Sequence, residues 1–489
     1  MRQLNAQDTR PPQQTTVAQF GEGVFLRGFA DYMIDVANEQ GVFDGGVAVI
    51  KPRPFGSLDK YEIQDRAYTV ILRGVVDGER FVEHRVVSAI TQAIHPYSDY
   101  NSFLDLAKTD TLRFVISNTT EAGVVYDETD AFEHKPANSF PGKLTQLLYA
   151  RYKHFHGAAD RGLIVLPLEL LEDNGAKLRD CVMKLITLWK LPAEFAAWVD
   201  EACIFCNTLV DRIVSGYPTD EAEALERDLL GYKDELMVVG EPFGLWVIES
   251  PRYQEIQREF PLDKAGMPLV FTDNQRPYRE RKVRILNGAH TSTVPAAFFC
   301  GLDIVSEAMA DPTLRAFMER AVYQELAPTV PLPADEVRAF ADSVMERFEN
   351  PFIRHALLSI CLNSVAKWKA RILPSLKDSL AATGKLPTCL TFSFAALATF
   401  YRSAEQGENC LIGKRGGETY EIRDDAQVLS FFAEHAALPH ADFAKALLGN
   451  TAFWGEDLNK LGDMTQQIAT HLEAIEKNGM RQTLEALLA

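Results

Sequence analysis

Thr16-Val-Ala-Gln-Phe20-Gly21-Glu22-Gly23-Val24-Phe25-Leu26-Arg27-Gly28 reads as a β-strand, a glycine turn and the first residues of a helix that runs over about 25–38. Two glycines at that point let the backbone turn tightly and approach a pyrophosphate, which then lies on the helix N-terminus. The third glycine of the usual GxGxxG is absent, because Leu26 holds its place. A tight turn with no ligand is the alternative that the pattern leaves open. Arg27 either adds charge near a phosphate or is a solvated helix residue.

Working outward, β-rich runs at 47–50, 68–72, 112–117 and 163–167 are separated by helical stretches around 103–107 and 144–156. Strands alternating with helices predict βαβ units and a mostly parallel sheet, which binds ligands beyond the C-terminal ends of its strands. Where an acidic residue would accept from the adenosine ribose stand Lys51, Pro52 and Arg53. Taken alone, two cations there favour a 2′-phosphate, hence NADP; plain surface charges are the alternative. Ser117-Asn-Thr119-Thr120-Glu121-Ala-Gly123 gathers hydroxyl, amide and carboxylate groups at another strand end, as a ligand loop or as an N-capping loop.

From Lys282 onward the pattern changes to apolar residues at helical spacing, over 296–309, 313–327, 335–348, 354–372, 392–403, 425–434 and 464–487. Pro261, Gly266, Pro268 and Pro277 mark a boundary, so two domains are expected, 1–265 and 266–489. Residues 407–417, rich in glycine, read as a hairpin or mobile loop.

Composition narrows the function. With 489 residues the chain is too long for one core, and its net charge of −18 excludes a protein whose main affinity is for phosphate backbones. Neither nucleic acid nor an anionic membrane is an expected partner; any anionic ligand needs a local cluster of cations or N–H groups. The apolar runs are of strand length and residues 1–16 are polar, so a cytoplasmic location is expected. Seven unevenly spaced cysteines make no disulfide framework, and Cys203-Ile-Phe-Cys206 reads as two buried thiols on a helix. His154-Phe-His156 lacks a third ligand, so no metal is expected.

The most informative stretch is Lys282-Val-Arg-Ile-Leu-Asn287-Gly-Ala-His290. At about 100° per residue, Lys282, Asn287 and His290 fall within roughly 140° of one helix face. Hydride reduction of a ketone suits that set. The oxygen gains negative charge as hydride arrives and needs hydrogen-bond donors and an acid. A desolvated lysine serves as the acid, Asn287 donates an amide N–H, and His290 orients the neighbouring hydroxyl. Spacing alone still favours an exposed helix face with one packed histidine.

The Lys-x₄-Asn-x₂-His pattern resembles the signature of the polyol-specific long-chain dehydrogenases, the mannitol dehydrogenase family. Further marks stand in order: Gly21 to Arg27, Thr120-Glu121, Val210-Asp211-Arg212-Ile213, Glu241-Pro-Phe243, Trp246-Val-Ile-Glu249 and Asn350-Pro351. The resemblance implies an α/β Rossmann-type N-terminal domain, a mostly α-helical C-terminal domain and an active site in the cleft between them. It implies reversible hydride transfer between NAD(H) and a hexuronate-derived ketone, D-tagaturonate to D-altronate. Fructuronate or a polyol is the alternative substrate, and a non-catalytic nucleotide sensor is the alternative of another class. Catalysis then falls to Lys282, Asn287 and His290. Cofactor binding falls to Phe20, Gly21, Glu22, Gly23, Val24, Phe25, Leu26, Arg27, Thr119, Thr120 and Glu121, and substrate binding to Asp211, Lys367 and Arg354. Three departures from the family bear on the substrate: Leu170 replaces a second oxyanion donor, Arg279 a proton-exit Glu, and Ser359 a substrate-binding Arg.

Overall fold

The computed structural model describes residues 1–5, 7, 14–402 and 405–489, the side chain of Glu121 excepted. The chain divides into two compact units, Met1–Gln275 and Arg276–Ala489.

The first unit is built on a six-stranded sheet. Its strands are β1 (Thr15–Phe20), β2 (Gly46–Ile50), β3 (Ile90–Ile94), β4 (Phe114–Ser117), β5 (Ile164–Pro167) and β6 (Ile204–Phe205), in the spatial order 3-2-1-4-5-6. Every pairing is parallel. This is the doubly wound dinucleotide-binding order, with the reversal between β1 and β4. Alternation along the strands serves two cores: Val17, Phe114 and Ile116 join one, Ala18, Phe20 and Val115 the other. A parallel sheet covered on both faces reads as continuous apolar runs, which is why β1, β2, β4 and β5 were visible in sequence.

Three expectations need correction. The run at 68–72 is no part of this sheet; it belongs to Tyr68–Val76, which forms an antiparallel hairpin with Glu79–Val87 in a second sheet. The third strand of the main sheet is β3 instead. Cys203 and Cys206 are buried, but they flank β6, a strand, and not a helix. The unit also runs past residue 265, because Leu269–Thr272 pairs in parallel with Leu245–Glu249.

The second unit is helical apart from a small antiparallel sheet of Glu405–Gln406, Leu411–Arg415 and Glu418–Ile422, so the stretch 407–417 contains a hairpin. Two helices, Gly288–Phe299 and Thr388–Arg402, pack together at its centre and are buried nearly all round. Glu325 caps the second: its carboxylate accepts from the N–H groups of Cys389 and Leu390, both at 2.9 Å. Ser403, the expected last residue of that helix, lies outside the described residues. The expected helix over 354–372 is broken: only Leu357–Ile360 and Ser364–Arg371 are helical, and Asn363 between them takes φ +52°.

Candidate functional site

In the first unit the ends of β1, β2 and β4 stand side by side, with Phe20 in register with both Ile50 and Ser117. Gly21 leaves β1 at φ +136°, donating to Ile50 O at 3.0 Å. A Cβ at Gly21 would meet Leu26 Cδ1 at 2.8 Å and Asn118 O at 3.2 Å, whereas one at Gly23 would meet nothing within 4 Å. Gly21 therefore makes the turn and Gly23 keeps the space in front of it clear. Gly23 is also the N-cap of the helix beginning at Val24, and no side chain caps those N–H groups. These features fit a dinucleotide pyrophosphate. The role of the missing third glycine passes to Gly28, whose absent Cβ would lie 3.0 Å from both Val214 and Val238.

The other residues of the turn divide by direction. Phe20, Phe25 and Leu26 pack inward, and Val24 lies against Gly216. Glu22 holds Lys51 Nζ at 2.5 Å, tying the turn to the end of β2. Arg27 is not a solvated residue: it is buried, its guanidinium donates to Leu236 O, and it lies 5.5 Å from the Tyr68 ring centre. Arg212 clamps the same helix, donating to Gly28 O at 2.9 Å and to Phe243 O at 2.8 Å, which gives the Asp-Arg-Ile mark a physical reason. Asp211 beside it is buried at the end of its strand.

Across the switch point, Glu169 organises the β4 loop. It accepts from Ser117 Oγ at 3.0 Å and from Thr119 N–H at 2.8 Å. Thr120 follows at φ +74°, ψ 163°, a conformation that costs a non-glycine residue about 1–3 kcal/mol. The side chain of Glu121 lies outside the described residues. Arg53, Thr119, Gly123 and Tyr126 line a cavity of about 700 Å³ at this edge.

Beneath the turn, Gln19 Nε2 bridges Gly21 O and Asp31 Oδ2, each at 3.2 Å. Burial pushes the Asp31 carboxyl up from 3.8 to about 7, against hydrogen bonds from Gln19 and Tyr68 and the charge of Arg27. A raised carboxyl binds its proton more tightly in the fold than in the unfolded chain. Its contribution is fully present below pH 3.8 and lost as pH rises through about 7. Asp31→Asn is therefore expected to gain thermal stability over the parent between pH 5 and pH 8. Parallel melting curves of the two proteins across that range check it, and a constant difference would refute it.

In the second unit the signature lies on one continuous helix, Arg276–Arg281 followed by Gly288–Phe299, with Lys282–Asn287 between them in π geometry. Widening the turn to i→i+5 bonds places Lys282 and Asn287 nearly one above the other, closer than the α-helical arc predicted. Both are partly exposed, and among the described residues the Asn287 amide makes no side-chain hydrogen bond. Arg281 and Arg284 pin the segment: Arg281 lies 4.4 Å from the Phe340 ring centre, and Arg284 donates to Thr329 O at 2.7 Å and pairs with Asp378.

His290 is buried, stacked 4.1 Å from Phe348 and edge-on to His355 at 5.2 Å. Among the described residues its Nε2 has no hydrogen-bond partner. Burial, then the charges of His355, Arg347, Arg371 and Lys367, hold it well below the usual histidine range, so the ring is neutral. The helices Ala334–Phe348 and Ser364–Arg371 pack against the signature helix and carry three of those cations. Lys367 donates to Ile360 O at 2.8 Å. Arg354, a substrate-binding expectation of the resemblance, is exposed and is not among the charges acting on His290, whereas Arg371, Arg347 and His355 were missed.

The comparisons with known proteins cover nearly the whole chain. The mannitol dehydrogenase Rossmann domain matches residues 15–260 and the mannitol dehydrogenase C-terminal domain residues 274–476. The chain belongs to the mannitol dehydrogenase family. It is 44% identical to the altronate oxidoreductase of Enterobacter sp. (strain 638), over 96% of each chain, and 43% identical to that of Shigella flexneri over the full length of both. Among solved structures it resembles the Pseudomonas fluorescens mannitol 2-dehydrogenase ternary complex with NAD and D-mannitol (22% identity, TM-score 0.65, 99% of each chain). It also resembles a substrate-free D-sorbitol dehydrogenase (20% identity, TM-score 0.80, 99% and 100%). These two share the fold.

As a member of the mannitol dehydrogenase family the chain is an oxidoreductase with a nucleotide cofactor of the NAD type. Leu170, Arg279 and Ser359, the departures noted in the sequence, have these surroundings. Leu170 is 63% exposed, and nearby Asn174 is buried with its amide donating to Pro167 O, Glu169 O and Thr208 O. Arg279 lies on the helix Arg276–Arg281 beside Glu280, which pairs with Arg276 at 2.9 Å. Ser359 Oγ turns back to Ala356 O at 2.7 Å.

Proposed function

We propose that this enzyme is a tagaturonate reductase (altronate oxidoreductase), reducing D-tagaturonate to D-altronate reversibly with NADH in hexuronate catabolism. The observation that carries the reading is the set of cations at His290 in a chain whose net charge is −18. A sugar acid brings a carboxylate that such a set of cations would hold. The names of the relatives support the same substrate pair.

When bound, the dihydronicotinamide supplies the hydride for the carbonyl carbon. Lys282 gives its ammonium proton to the carbonyl oxygen as charge develops there, and water restores it afterwards. Asn287, with its amide uncommitted, donates to the same oxygen. Neutral His290 orients an adjacent hydroxyl, and Lys367 faces the remote carboxylate. In the reverse direction Lys282, deprotonated, takes the alcohol proton.

NAD(H) is preferred to NADP(H) in this reading. Lys51 is only 5% exposed and its charge is met by Glu22, which leaves Arg53 alone for a 2′-phosphate. Assays of tagaturonate, fructuronate and fructose, each with NADH and NADPH, test both parts at the nicotinamide absorbance. The highest kcat/KM is expected for tagaturonate with NADH. A higher value for fructuronate would move the assignment to that substrate, and a higher value with NADPH would reverse the cofactor choice.

A further inference from the structure

Several arginines of the second unit pair with carboxylates. Arg284 pairs with Asp378, Arg338 with Asp342, Arg415 with Asp303, and Arg481 with Asp311. Arg371 is an exception. It is partly buried at the end of Ser364–Arg371, yet its single side-chain hydrogen bond among the described residues goes to a neutral hydroxyl, Thr291 Oγ1, at 3.3 Å. No carboxylate of the described residues pairs with it, although acids exceed bases by 18 in the chain. Its other guanidinium nitrogens are not sealed from solvent, so the fork has open donors. Burial lowers its pKa, as expected for a cation with no counter-ion at hand.

Position adds to this. Arg371 stands four residues after Lys367, on the same helix face, and Thr291 directly follows His290. Lys367 spends one of its three donors on Ile360 O and presents a point charge. A guanidinium presents two parallel N–H groups that match a carboxylate.

We infer that Arg371 is the residue that selects a sugar acid over a neutral sugar here, its fork closing on the substrate carboxylate while Thr291 fixes its direction. The inference rests on the keto-uronate reading above.

The test compares two competitive inhibitors of tagaturonate reduction with the same carbon skeleton, D-altronate and the uncharged D-altritol. In Arg371→Met the KM for tagaturonate and the Ki for D-altronate are expected to rise about a hundredfold, while the Ki for D-altritol moves less than about threefold. Arg371→Lys keeps the charge without the fork and is expected to fall between, near tenfold. It also serves if the methionine variant does not fold. An altronate-to-altritol ratio that stays at the parent value in either variant would overturn the inference, as would equal losses on both inhibitors. Failure of the parent enzyme to turn over any keto-uronate would instead defeat the substrate reading, before any variant is made.

Discussion

Replacing Lys282 with alanine is expected to lower turnover by about 10²–10⁴-fold in both directions, with NADH affinity within about twofold of the parent. The size follows from the role. Hydride addition leaves an alkoxide, and without a positioned acid the proton has to come from water. Lys282 is partly exposed, so its loss leaves no cavity in the core, and the segment stays pinned by Arg281 and Arg284. The glycine turn lies in the other unit, so nucleotide binding is a separate readout. Single-turnover rates with titrated NADH check both halves. A folded variant with parental turnover would remove Lys282 from the mechanism.

The second large effect is a contrast between the two glycines. Gly21→Ala puts a Cβ at φ +136°, 3.2 Å from the Asn118 carbonyl oxygen and 2.8 Å from Leu26. Backbone strain of about 1–3 kcal/mol is expected, before any clash, together with loss of NADH binding. Gly23→Ala meets no atom and sits at φ −69°, so its melting temperature is expected to hold. Its methyl nevertheless enters the space in front of the uncapped N–H groups, and NADH affinity should fall at least tenfold. Calorimetric titration beside thermal melts separates the two. Parental affinity in Gly23→Ala would show that the pyrophosphate does not approach this turn.

Sequence exposed the parts whose physics is local. A glycine pair after an apolar strand has a backbone reason to be there, and it led directly to the switch point. The strands β1, β2, β4 and β5 announced themselves because both faces are buried. β3 did not: Ile-Thr-Gln-Ala-Ile carries two polar residues and lies at the sheet edge, while the more apolar run at 68–72 looked better and belongs elsewhere. The third glycine was sought at Leu26, two residues before the place where Gly28 meets Val214 and Val238. The cations at His290 come from separate helices, and only packing brings Arg347 and Arg371 to it. Their one local trace was the four-residue step from Lys367 to Arg371. No residue type marks π geometry, so the 282–287 turn was invisible.

That turn sets the reading frame of the whole signature. A π segment holds one residue more than the α-helix it interrupts. Losing any single residue between Lys282 and Asn287 lets the helix close into uniform α geometry with its backbone hydrogen bonds still made, at the cost of the Arg281–Phe340 and Arg284–Asp378 contacts. Everything upstream would then swing by about 100° relative to His290. In families built on this helix, insertions and deletions across those four intervening residues would carry Lys282 out of register with Asn287 and His290, so active members are expected to keep this spacing unchanged.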